Sequence, residues 1–193
     1  MLRLASADEI GGLLLELPAL FRLQEQRSVD FPQRSREWLV SLEEALTANR
    51  LYQAGLVAAL RGGITSAEQG QLPPGLQLQG RATRSKAMAA MAARALHGAA
   101  EIASAIMSEN GARFAEAERV SSQIVATARS RGVLPTRKAK TSNTQYLREV
   151  RHVLAASADL ENATTHLEGL VGPQDALVSL DRALGTDAPA GEE

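Results

Sequence analysis

Glu149 and His152 stand three residues apart, a Glu-x-x-His spacing that puts both side chains on one helix face and recurs in di-iron carboxylate bundles. That chemistry needs two such pairs and two further glutamates, yet His97 and His166 have no glutamate three positions before them. Arg148 and Arg151 flank Glu149, so helical ion pairing is the expected role of this group and no metal ligand set is assigned. His97 and Glu101, four apart, face away from the apolar arc described below and are expected to be a solvated pair. The chain has no cysteine, which removes disulfides, thiol catalysis and the usual structural zinc sites. It has no Gly-x-x-x-x-Gly-Lys phosphate loop, no Gly-x-Ser-x-Gly elbow and no His-Glu-x-x-His pair. The expectation is a protein that is not an enzyme, with no catalytic residue and no cofactor.

The compositional anomaly is charge. Residues 129–151 carry Arg129, Arg131, Arg137, Lys138, Lys140, Arg148 and Arg151 against Glu149 alone, a local charge of +6, while the remaining chain has 14 basic and 21 acidic residues. Such a cluster suits an anionic partner, either nucleic acid phosphates or an acidic protein surface. It also suits a bland role, with Arg129 and Arg131 answering the negative end of a helix dipole and the rest keeping a loop soluble. Tyr146 is the one aromatic residue in this stretch, so sequence-specific reading of single strands is not expected.

The elements that must position these residues are helical. From about Ala82 to Arg131 the chain is rich in alanine and free of proline. Met88, Met91, Ala95, Leu96, Ala99, Ile102, Ile106 and Met107 fall in one arc roughly 160° wide at about 100° per residue. Phe114, Ala117, Val120, Ile124 and Val125 return to that arc beyond Asn110-Gly111 without a change of phase. A hairpin resets phase, so one rod of roughly 70 Å is expected, although Asn110 and Arg113 lie inside the arc and Asn-Gly is a common breaker.

Before it, a Ser6/Glu9 capping box opens a first helix over about 7–27, with Pro18 expected to kink or split it. A second rod over 32–61 presents Trp38, Leu39, Leu42, Leu46, Leu56, Val57 and Leu60 up to a Gly62-Gly63 stop, with Asn49 and Gln53 on that face as a polar layer or a break. A connector over 62–81, containing Pro73-Pro74-Gly75, follows. After the long rod, a Ser142/Gln145 box opens a helix over 143–171 whose positions Tyr146, Val150, Val153, Ser157, Leu160, Thr164, Leu167 and Val171 step by four and three. This heptad seam packs on the long rod of the same chain or, as a homo-oligomer, on its own copy. Pro173 starts a short last helix stopped by Gly185, and an acidic tail over 186–193 is expected to be disordered.

The fold class expected is all-α, an elongated, mainly antiparallel four-helix bundle with a long central helix and a short C-terminal fifth helix, forming a single domain over 1–185. Nowhere do 18 apolar residues run together, and Asp8, Glu9 and Glu16 break the apolar patch near the N-terminus, so no membrane span or leader is expected and a cytoplasmic protein is. The function expected is a helical interaction or assembly module with protein partners, an adaptor or subunit of a larger complex. The alternative is an accessory nucleic-acid-binding subunit working through the basic cluster without regard to sequence.

Overall fold

Seven helices and no strand occur among the described residues of the computed structural model, which are 2–71, 83–137 and 141–186. They are α1 (Leu4–Glu25), α2 (Phe31–Ala48), α3 (Gln53–Glu68), α4 (Arg84–Ser130), α5 (Asn143–Ala155), α6 (Ala158–Val171) and α7 (Pro173–Thr186). They fall into two compact units, Met1–Glu109 and Asn110–Glu193. None of the described helices is long and apolar enough to cross a membrane. The middle of the connector, Lys138, Lys140 and the tail from 187 onward lie outside the described residues.

In the first unit, α1 buries Leu4, Ala7, Ile10, Leu13, Leu17 and Leu20 at helical spacing, and α2 answers with Phe31, Trp38, Leu39, Leu42 and Leu46. The Trp38 indole N–H donates to the Leu13 carbonyl at 2.8 Å, giving the large ring a polar anchor inside the core. Pro18 neither splits nor ends α1, and the helix starts at Leu4 rather than at the Ser6 box. The reason for the earlier start is burial: Leu2 and Leu4 are both in the core, and the Arg3 amide donates to Asn49 Oδ1 at 3.2 Å.

The second rod is two helices. Asn49 caps the end of α2, its Nδ2 donating to the Ala45 carbonyl at 2.8 Å, and Arg50 takes a left-handed φ of 55°. The Leu51 amide then reaches back to the Leu46 carbonyl at 3.0 Å and the Arg50 amide to Thr47 at 2.9 Å, the bond pair of a Schellman motif. Arg27, at φ 51°, ends α1 in the same way. Glycine fills the corresponding position after α3 and α4, as Gly70 and Gly132. Gly62-Gly63 does not stop α3, which runs on through the Thr65/Glu68 pair to Glu68. The Glu68 carboxylate accepts from Arg36 at 2.9 Å and lies 3.7 Å from Arg84, tying the ends of α2, α3 and α4 in this unit.

Residue Thr83 caps α4 through its Oγ1 and the Lys86 amide, and the helix continues past Asn110-Gly111. There the Asn110 Oδ1 accepts from Arg113 at 2.8 Å, and the Arg113 guanidinium lies 4.8 Å from the Phe114 ring centre.

The second unit packs Ala117, Val120, Ile124, Val125 and Ala128 of α4 against Val150 and Leu154 of α5, Leu160, Leu167 and Val171 of α6, and Ala176, Leu180 and Ala183 of α7. Ser142 caps α5 as expected, accepting from the Gln145 amide at 3.3 Å. The heptad helix over 146–171 is not one helix: it breaks at Ala156 and Ser157, the latter extended at φ −122° and followed by Asp159 and Glu161 in the first turn of α6. Acidic residues there suit the positive end of a new helix. Thr164 back-bonds to the Leu160 carbonyl at 2.7 Å. The last helix runs one residue beyond Gly185.

A left-handed backbone costs an L-residue about 1 to 2 kcal/mol that glycine avoids. Arg50→Gly should therefore raise stability by about 0.5 to 1 kcal/mol in urea melts, after allowing for the greater chain entropy of glycine. A loss of stability would mean that the Arg50 side chain itself holds the α2–α3 corner.

Candidate functional site

Two pockets, one in each unit, bring together residues that the sequence singles out. In the first unit, a groove of about 810 Å³ runs between α3 and the N-terminal half of α4. Its walls are Leu56, Leu60 and Gly63 from α3 and Met91, Ala95, Gly98 and Ile102 from α4, with Arg94 and Glu101 also lining it. On both helices the lining residues recur at three and four positions, so each helix offers one continuous stripe.

Glycine makes the close approach of these helices workable. A Cβ on Gly63 would stand 2.7 Å from Met91 Cε, and one on Gly98 would stand 3.3 Å from Leu60 Cδ1. Each helix thus inserts a flexible apolar side chain where the other has none. Leu56, expected in the core, is instead 49% exposed and forms part of the open wall. His97 and Glu101 are both exposed, and the His97 ring also stacks on Phe21 with centres 4.7 Å apart.

In the second unit, the sequence-predicted basic residues are not equivalent. Arg131 pairs with Asp159 at 3.2 Å and also donates to Ser157 Oγ, and Arg151 pairs with Glu168 at 2.7 Å. Both are thereby assigned to holding α6. Arg129 donates to the Leu184 carbonyl near the end of α7 at 3.2 Å, and Arg137 lies 5.8 Å from the centre of the Tyr146 ring. These two share a pocket of about 420 Å³ with Leu134, Pro135, Tyr146, Asp181 and Leu184. Arg148 is exposed on α5, and Lys138 and Lys140 lie outside the described residues.

Glu149 and His152 are both exposed on α5, and no group of three metal-ligating side chains occurs among the described residues. The displaced titrations belong to ion pairs on helix surfaces. Hydrogen bonding to Glu43 holds Arg61 above its ordinary value, and hydrogen bonding to Arg119 holds the Glu116 carboxyl below its own. That pairing follows ordinary i,i+3 helix spacing for Glu116 and Arg119.

If the groove wall at Leu56 is a surface and Ile64, one face away on α3, is core, their substitutions separate sharply. Leu56→Glu should change stability by less than about 0.5 kcal/mol, whereas Ile64→Ala, at a fully buried position, should cost about 2 to 5 kcal/mol. Denaturant melts compare them directly, and equal losses would close the groove. No protein-family model, no curated protein and no solved structure matches this chain.

Proposed function

We propose that this protein is a non-enzymatic interaction or assembly module, an adaptor or complex subunit, that receives an amphipathic helix of a partner protein along α3 and α4. The observation that carries the reading is the groove itself, an apolar channel on two packed helices with one cation and one anion beside it. Arg94 and Glu101 are seven positions apart on α4, two turns or about 10 Å along the axis. A partner helix placing apolar anchors at i, i+3 or i+4 and i+7 fills such a channel. An acid and a base two turns apart on its flank then meet Arg94 and Glu101, which gives direction as well as affinity. A helical bundle built around α4, in four-helix arrangement, is the scaffold this reading assumes.

The test is affinity capture from the native host with mass spectrometry, run side by side on wild type, Leu56→Glu and Arg94→Glu. A partner whose recovery falls about tenfold or more with both variants supports the groove. Identical captured sets from all three would sink it.

A second reading, an accessory nucleic-acid-binding subunit, draws on the excess of basic residues in 129–151. The pairing of Arg131 with Asp159 and of Arg151 with Glu168 reduces the cations available to phosphates. Any duplex binding should therefore show a log–log salt slope well short of the about −6 that seven independent phosphate contacts produce. Binding at low salt that Arg129→Ala, Arg137→Ala and Arg148→Ala together do not weaken, or no binding to duplex DNA or RNA at all, removes this reading.

A further inference from the structure

We propose that the pocket beside Arg129 and Arg137 in the second unit binds a nucleoside monophosphate, a small ligand with one phosphate and a flat, amino-bearing ring. The inference uses residues and a unit separate from the α3–α4 groove, so it stands or falls independently of the partner-helix reading.

Three features of the pocket point to that class. Two guanidinium groups line a cavity of about 420 Å³, one from the end of α4 and one from the turn that follows it. Arginine presents a fork of donors matched to phosphate oxygens, and the volume lies within the range of small-ligand sites. Each group already has a neighbour in the fold. Arg129 Nη2 is tethered to the Leu184 carbonyl at 3.2 Å, and Arg137 lies over the Tyr146 ring at 5.8 Å. A group already held in place loses less freedom on binding.

The remaining walls are apolar and aromatic. Leu134, Pro135, Leu184 and Tyr146 line the rest of the pocket, and bases commonly stack on aromatic faces or on guanidinium planes. Asp181 is the one acid lining the pocket, and Asn143 Nδ2 donates to its Oδ2 at 2.9 Å. A carboxylate has two oxygens and several acceptor sites, so one such bond leaves capacity to accept from an exocyclic amino group. The same carboxylate disfavours a ligand that brings only negative charge.

The two tyrosines supply the experiment. Tyr146 lines the pocket, whereas Tyr52 is exposed at the α2–α3 corner of the first unit. In the full chain with ring-labelled tyrosine, titration with adenosine 5′-monophosphate should move the Tyr146 signals saturably and leave those of Tyr52 in place. Arg137→Ala, at an exposed position in a turn, should weaken the response about tenfold or more with an unchanged circular dichroism spectrum. Inorganic phosphate and adenosine, each alone, should bind at least tenfold more weakly than the monophosphate. Asp181→Asn should reduce the preference for adenosine 5′-monophosphate over ribose 5-phosphate. The proposal is overturned if Tyr146 does not respond at millimolar ligand, if both tyrosines move alike, if Arg137→Ala titrates like wild type, or if inorganic phosphate matches the nucleotide.

Discussion

The constraint on which the rest depends is the close approach of helices that carry few large side chains. Only six residues of the chain are aromatic, and α4 buries Ala87, Ala92, Ala95, Ala99, Ala103, Ala117 and Ala128 along its length. Alanine removes little apolar area from water, so such a helix gains from packing only where its neighbours come near enough for dense van der Waals contact. At Gly63 and Gly98 even a methyl group would crowd the facing Met91 or Leu60. The same small residues that let α3 and α4 meet leave the channel beside them unfilled. Core packing and the candidate docking surface are therefore one consequence of one choice of residues.

Helix polarity governs the second unit in a comparable way. Arg131 answers both Ser157 and Asp159 at the start of α6, while Arg151 answers Glu168 later on the same helix. Exposed ion pairs of this kind contribute at most about 1 kcal/mol each, so their effect is to orient α6 more than to stabilise it. The hydrophobic cluster of α4, α5, α6 and α7 carries the energy.

Much of this was legible from residue spacing. The phase of α4 through Asn110, the Ser142 cap of α5 and the Pro173 start of α7 all follow from local chemistry that acts within a turn. The break at Arg50 was legible only as one of two alternatives for Asn49 and Gln53, and the break at Ser157 was not legible, for physical reasons. A Schellman ending is normally marked by glycine, and at Arg50 the left-handed residue is an arginine, supported by the buried Leu46 and the half-buried Leu51 on either side of the turn. Ser157 sits in step with the apolar seam, so its spacing argued for continuation while its hydroxyl and the acids after it argued for a new start. Conversely, Gly62-Gly63 resembled a stop, but Gly63 serves contact with α4 instead. A glycine's two uses, freedom of φ and absence of bulk, look identical in sequence.

Function divides along the same line between local and non-local information. The basic residues of 129–151 are visible as a cluster because they are neighbours in sequence, yet their roles diverge once folded. Two join carboxylates brought from α6, and two converge on a pocket whose other walls come from the turn after α4, from α5 and from α7. Nothing in the spacing of Arg129 and Arg137 announces Asp181 or Leu184 as their companions. The groove is harder still to foresee, because Leu56 lies only one residue from buried Val57 and one turn from half-buried Leu60, yet is itself half exposed on the open wall. A leucine stripe read from spacing alone does not say which of its members the neighbouring helix covers.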